Sequence, residues 1–342
     1  VSTPLPVQPP PIHEPIPGLY QVSMPIPVPL RAVNVYLLSG PEGWTVVDTG
    51  FHTAETEVRW RLALDALGIG FRDLTAIVVS HYHPDHIGCA GWLQEQSGAP
   101  VLMLRQEIPQ VERFWRPGSP AGEAIAAFFE AHGMPVPEAG PLGGHHLEQV
   151  ARVTPFPRIT PVDPGQELRL GGWRFQVHWA PGHAEGLMVL WEPDARFLLA
   201  DDLILATITP NISLWPFSVE NPLDQYLSSL GRIAPLPARL VLPGHRAPIG
   251  DLAGRVGEIV LHHRDRLDRV EAIVRELERD GGPAPVTGWD VNLRLFGPQP
   301  DLFRSRFAMA ETLAHLDYLA VHGRLRQEEG NGSPARICYR TV

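Results

Sequence analysis

Apolar and polar positions along the chain change rhythm several times, and each rhythm predicts an element. Val33–Leu38 and Trp44–Asp48 are short β-branched and aromatic runs separated by Ser39-Gly40-Pro41-Glu42-Gly43, the signature of a hairpin. Thr53 to Leu67 reads as a helix, with Thr53 placed to cap it and Gly68 just past its end. Thr75–Ser80 is a nearly continuous apolar run and predicts a strand buried on both faces. A helix over His86–Gln96 and a strand over Val101–Leu104 follow. Further strands are expected at Trp173–Trp179, Leu187–Trp191, Phe197–Ala200 and Leu240–Leu242, with a helix near Leu223–Ile233.

Three stretches break this α/β pattern. Residues 1–30 are rich in proline, including Pro9-Pro10-Pro11, and proline donates no backbone hydrogen bond. They predict an extended arm or edge, with residues 1–16 as a separate arm and the first dozen poorly ordered. Residues 105–160 read as an insertion over the core of a domain spanning 17–255. Helices are expected around Arg105–Trp115 and Gly122–His132, then a Gly/Pro-rich loop that carries His145 and His146. Phe114, Trp115, Phe128 and Phe129 fit helix packing better than a substrate wall. Beyond 256, Val256, Val260, His263, Leu267, Val270, Val274 and Leu277 step by fours and threes along one helical seam, with His262 and His263 expected in interhelical contact. Helices near Asp290–Phe296 and Leu302–Val321 come next. Two strands around Gly330-Asn331-Gly332-Ser333-Pro334 complete a winged-helix-like domain over 256–342.

Composition narrows the chemistry. At 342 residues the chain is one large domain or two. All 28 basic residues are arginine, so Schiff-base chemistry and the phosphate-binding lysines of kinases and P-loop proteins are excluded. No G-x-S-x-G or G-x-G-x-x-G segment occurs. A net charge of −10, with 12 Arg against 13 acids after 256, disfavours nucleic acid and makes packing or dimerisation the better role for the C-terminal domain. A homodimer is therefore open. No apolar run is long enough for a membrane helix, and no basic-then-apolar leader opens the chain. Two widely spaced cysteines, Cys89 and Cys338, exclude a disulfide framework and suit a reducing cytoplasm.

The strand Thr75–Ser80 runs into His81-Tyr82-His83-Pro84-Asp85-His86, three histidines and an aspartate in six positions. Imidazole and carboxylate donors suit zinc, iron or manganese. In extended chain His81 and His83 point the same way, and the turn into the next helix presents Asp85 and His86. Three other apolar strands also end in candidate ligands: Gly182-His183, Asp201-Asp202 and Gly244-His245. Glycine lets backbone come close to an ion. Asp48 fits two roles, bonding its own turn or orienting a ligand imidazole.

His81-x-His83-x-Asp85-His86 resembles the H-x-H-x-D-H motif of metallo-β-lactamase-fold hydrolases. Asp48-Thr49-Gly50 and the order of the later His, Asp and His also match, over roughly residues 17–250. The tail resembles the helical extension of one branch of that superfamily. The resemblance implies an α/β fold, an αββα sandwich, with two divalent metal ions. Zinc is favoured, with iron and manganese open. His81, His83 and His183 would hold one ion; Asp85, His86 and His245 the other; an aspartate would bridge them. Asp201 and Asp202 compete for the bridge. Counting back from Ile208-Thr209-Pro210-Asn211 favours Asp202 and puts Asp201 where the family has glycine.

The implied reaction is attack by metal-activated hydroxide, with Asp85 and Asp202 as catalytic carboxylates, on a small ester, thioester or lactone. By their loop positions near the rim, and not by the resemblance, Tyr82, Asn211 and Trp215 are expected to line the substrate pocket. The alternatives are a phosphodiesterase or ribonuclease of the same fold, and iron-dependent oxidoreductase chemistry of the sulfur dioxygenase kind. β-Lactamase activity does not follow from the fold.

Overall fold

Alternating side chains decide how the layers meet. The computed structural model describes residues 7–27, 30–280, 285–330 and 336–342. In strand β3 (Ala32–Gly40), Val33, Val35 and Leu37 face helices, while Tyr36 and Leu38 face a second sheet. Phe175 and Val177 of β9 (Trp173–Trp179) pack against that same inner layer, between polar neighbours that stay outside. Two sheets therefore share an apolar interior and each is covered by helices, giving an αββα sandwich.

The first sheet has seven strands in chain order: β1 (Ile12–Ile16), β2 (Leu19–Pro25), β3, β4 (Gly43–Val47), β5 (Leu74–Val78), β6 (Val101–Leu104) and β7 (Ile159–Val162). Its first four are antiparallel and its last four parallel. The second sheet runs β12 (Leu240–Pro243), β11 (Phe197–Asp201), β10 (Met188–Glu192), β9, β8 (Glu167–Leu170). Helix α1 (Ala54–Ala66) begins at Thr53, whose hydroxyl accepts from Thr56 N. Helix α8 (Pro222–Ile233) packs against the later strands' side and buries Tyr226 and Leu230.

Several sequence expectations are corrected. The arm is not separate, because residues 12–16 form the edge strand and Leu19–Pro25 is a full member of the sheet. Pro15 is tolerated there since β1 is an edge. Residues 1–6 of the expected disordered stretch lie outside the described residues. The helix expected over His86–Gln96 is broken into α2 (Pro84–Ile87) and α3 (Ala90–Ser97). A Cβ on the intervening Gly88 would lie 2.5 Å from the carbonyl of Gly50, so close packing requires glycine between the two helices. The insertion holds α4 (Ile108–Trp115) and α5 (Ala121–Ala131) as expected, but the Gly/Pro-rich stretch also folds, as α6 (Val136–Ala139) and α7 (Pro141–Val150). Both helices begin next to a proline, which suits the first helical turn.

The tail forms α9 (Leu252–Arg279), α10 (Gly288–Phe296) and α11 (Leu302–Val321), with a small antiparallel sheet of β13 (Val286–Thr287), β15 (Arg336–Thr341) and β14 (Leu325–Gly330). Residues 331–335 of the expected turn lie outside the described residues. The α9 seam is buried through Val256, His263, Leu267, Val270 and Val274. His263 Nδ1 lies 3.2 Å from His315 Nε2 of α11, so this histidine bonds between helices. The tail is joined to the main body by backbone: Leu214 N donates to Ala310 O at 3.0 Å.

Candidate metal centre

One rim of the sandwich collects the ends of four strands. After β5 the chain leaves the sheet as His81-Tyr82-His83 and enters α2 at Asp85-His86. The other sheet delivers His183 after β9, Asp201-Asp202 at the end of β11, and His245 after β12. Gly182 sits at φ +132° against Tyr226, and a Cβ there would lie 2.4 Å from that residue. Glycine is thus required one position before His183. A Cβ on Gly244 would meet Asp202 Oδ1 at 2.5 Å and His86 Cε1 at 2.9 Å.

The seven candidate side chains are brought together. His81 Nε2 lies 2.9 Å from His83 Nδ1, and the His83 and His183 rings are 4.6 Å apart. His81, His83 and His183 can direct nitrogens at one point; Asp85, His86 and His245 can direct donors at another. Asp202 Oδ2 lies between the groups, 3.5 Å from His183 Nε2, 3.5 Å from His245 Nε2 and 3.6 Å from His86 Nε2. Asp201 points elsewhere. Its Oδ1 is 3.2 Å from His86 Nδ1 and accepts from Asp202 N at 2.9 Å, behind the imidazole rather than among the converging atoms.

Hydrogen bonds on the far side of four of the five rings fix which nitrogen faces the site. His183 Nδ1 lies 3.0 Å from the carbonyl of Asn211 and His245 Nδ1 lies 2.8 Å from that of Ala32. A carbonyl only accepts, so both imidazoles donate from Nδ1 and turn Nε2 toward the site. Ser80 Oγ donates its single proton to Asp48 Oδ2 at 2.8 Å and accepts from His81 Nδ1 at 2.9 Å. His86 Nδ1 donates to the same carboxylate at 2.9 Å. Asp48 is therefore the orienting acceptor for His86 and, through Ser80, for His81. Its backbone lies at φ +59°, a conformation aspartate tolerates, and Ser80 N donates to Oδ1 at 2.8 Å.

Imidazole nitrogens and carboxylates then face one another in a buried recess. His86 Nε2, His183 Nε2 and Asp202 Oδ1 are buried and have no hydrogen-bond partner among the described residues. Burial pushes the pKa of Asp85 up, but His86 and His245 outweigh it and hold the carboxyl at about 2. Burial likewise lowers His245, yet Asp202 and Asp85 overcome that and raise it to about 10. Burial and neighbouring imidazoles hold His81 and His83 well below the usual histidine range. The second group is a field that draws positive charge and the first is a cluster of neutral nitrogen donors. Divalent cations satisfy both, and the N/O donor set fits them.

A cavity of roughly 280 Å³ opens directly over these ligands. His83, Asp85, His183, Asp202 and His245 form its floor. Tyr82, Asn211 and Trp215 line it, and so do Phe114 and Trp115, for which the sequence favoured packing over a substrate wall. They do both: Trp115 Nε1 donates to Tyr82 O at 2.6 Å while its ring stacks on His146. His146, expected in an exposed loop, is a buried residue of α7 whose Nε2 lies 3.0 Å from Phe114 O.

Two residues near the site went unnoticed in the sequence. Glu107 is buried and accepts from Tyr82 N at 2.7 Å and from Gly186 N, tying the His81–His83 segment to the His183 loop. Burial and Glu185 raise its pKa to about 8. Arg306 of α11 reaches the cavity from the far end of the chain. Neither belongs to a motif; Ser80, by contrast, directly precedes His81 and was findable by position.

The pattern of the metallo-beta-lactamase superfamily matches residues 28–245, and that of a metallo-beta-lactamase-like C-terminal domain matches residues 261–338. The chain belongs to the metallo-beta-lactamase superfamily. A metallo-beta-lactamase family protein of Thermus thermophilus is 36% identical, with a TM-score of 0.82 over 96% of this chain and 99% of that one. A beta-lactamase domain protein of Burkholderia ambifaria is 28% identical, with a TM-score of 0.84 over 97% and 94%. The probable metallo-hydrolase YqjP of Bacillus subtilis is 27% identical over 87% of this chain and 91% of its own. Fold and family make this member of the metallo-beta-lactamase superfamily a metallo-hydrolase with clusters suited to metal ions. No helix among the described residues is long and apolar enough to cross a membrane.

Proposed function

We propose that the protein hydrolyses a small ester, thioester or lactone with two divalent ions, zinc favoured. His81, His83 and His183 would hold one ion, Asp85, His86 and His245 the other, with Asp202 between them. Bound there, the ions would supply Lewis-acid polarisation of the scissile carbonyl and a water acidified toward neutral pH. The chain's own residues do the rest. Asp85, ionised at neutral pH, can only accept hydrogen bonds, so it would orient an attacking water. Asp48 and Ser80 keep the imidazoles turned inward.

The observation that carries the substrate class is the wall above the ligands. Phe51, Tyr82, Phe114, Trp115, Leu205 and Trp215 are apolar or aromatic, and the volume suits a small molecule. A polyanionic RNA strand needs a basic track, and the chain carries −10. Both triads of donors are present, which favours a two-metal hydrolase over mononuclear iron chemistry. The two cysteines are unpaired and buried, in keeping with a reducing cytoplasm.

The test is to load the purified protein with zinc, manganese or iron and to screen esters, thioesters, lactones and phosphodiesters. Oxygen uptake is followed in parallel. Carbonyl turnover that vanishes in Asp85→Ala is the expected result. Phosphodiester cleavage alone, oxygen consumption, or turnover unchanged in Asp85→Ala would overturn the proposal.

A further inference from the structure

The cavity wall holds one charge that the metal chemistry does not use. Arg306 lies on the fifth position of α11, well outside the superfamily's metal-binding part of the chain, and its side chain lines the cavity. Its guanidinium sits over the rings of Phe303 and Phe307, 5.2 Å and 4.8 Å from their centroids. Among the described residues it has neither an acidic partner nor any hydrogen bond, and its Nε is fully buried and unpaired. Neighbouring arginines of the tail are different: Arg304 pairs with Asp301 and Arg324 with Glu271 and Asp268.

A guanidinium is always a donor and never an acceptor, so its unmet valence can only be filled by an acceptor. The two aromatic faces steady the cation but satisfy none of its N–H groups. Burial lowers its pKa to about 10, so it stays charged at neutral pH. The surroundings that could answer it are few. Tyr82 offers a hydroxyl; His145 and His146 from α7 are near enough to feel its field but bring no negative charge, because burial and Arg306 itself lower both. Left as it is, a cation in an aromatic recess with an open donor is costly. Arginine forks match a carboxylate two bonds at a time, and this lone cation balances the single charge of one carboxylate.

We propose that Arg306 binds a carboxylate carried by the substrate, at the end away from the scissile carbonyl. The substrate is then an acyl ester, thioester or lactone with an apolar body and a free carboxylate, clamped between the metal ligands and α11. This deepens the hydrolase reading and rests on it for the scissile bond. The carboxylate-binding element itself does not depend on turnover.

Two measurements separate the two ideas. In the first, equilibrium binding to the metal-loaded full chain is followed by calorimetry with α,ω-dicarboxylates of four to ten carbons and with monocarboxylates of the same lengths. Each pair has one carboxylate available to the metals, so the second reports on Arg306. At the best length the dicarboxylate should bind about tenfold tighter or more, and Arg306→Gln should erase that preference while Arg306→Lys restores part of it. In the second, thioesters of one thiol with an ω-carboxyl acyl chain are compared with their ω-methyl counterparts. Arg306→Gln should cost the charged substrate about tenfold in kcat/KM, chiefly through KM, and leave the neutral one within about threefold. No dicarboxylate preference in the unmodified protein, or an equal loss on both thioesters, overturns the proposal. Dicarboxylate preference without any carbonyl turnover would uphold the Arg306 site and remove only the hydrolase reading.

Discussion

Asp201 and Asp202 are chemically identical neighbours, and the backbone decides what each can do. Asp202 turns its carboxylate into the ring of Nε2 atoms, while Asp201, at φ +49°, turns back toward His86 Nδ1 and Asp48. A left-handed residue costs an aspartate something that glycine would avoid. The two should therefore respond differently to mutation. Asp202→Asn is expected to lose roughly half of the bound metal and about 100-fold or more in kcat/KM, since a neutral amide cannot bridge two cations. Asp201→Gly is expected to keep its metal and to remove the backbone strain. Metal analysis beside kinetics of both variants checks this; equal metal loss would mean that Asp201 also holds an ion.

At the level of elements, the α9–α11 pair buries two histidines that no ligand explains. Burial, with His315 as the next cause, holds His263 down to about 2, and burial holds His315 down to about 4. Both are neutral in the fold but would take up protons in the unfolded chain below about pH 6.5. The unfolded state then binds more protons, so this contribution to stability is intact above about pH 6.5. It is lost progressively as pH falls toward 4. Thermal unfolding between pH 7 and 4.5 should show that loss, and His263→Leu should flatten it. An unchanged slope in the variant would place the acid sensitivity elsewhere. The seam that buries His263 was legible because apolar residues recur at helical spacing, and the convergence of the candidate ligands was legible because four apolar strands each run into His or Asp. What was hidden had no local signal. β2 ends in Pro25 and lies just after Pro17, which mask a strand paired through its whole length, and α7 contains Gly143 and Gly144, whose weak helical preference is overridden by packing of Leu142 and His146. Glu107 looks like any surface acid in the sequence; only the folded chain brings Tyr82 N and Gly186 N to it.

For the whole molecule, the C-terminal module is a structural support for the site. α11 buries Leu313, Leu316 and Leu319, accepts Leu214 N through Ala310 O, and receives Asn211 Nδ2 at 2.9 Å on Glu311. Asn211 in turn fixes His183 through its carbonyl. Ending the chain at residue 251 should therefore expose apolar surface and loosen His183. Low soluble yield or strong binding of a hydrophobic dye by the fragment is the expected outcome. A monodisperse fragment that still takes up two ions per chain would show that the sandwich needs no support from its tail.

The cavity is built by two parties: its floor comes from strand ends of the sandwich and part of its roof from a helix that follows them much later in the chain. On the Arg306 proposal, part of the choice of molecule is written in a stretch of gene apart from the strand ends that would carry reactivity. Descendants could exchange one diet for another by altering α11 while their catalytic inheritance passed on untouched.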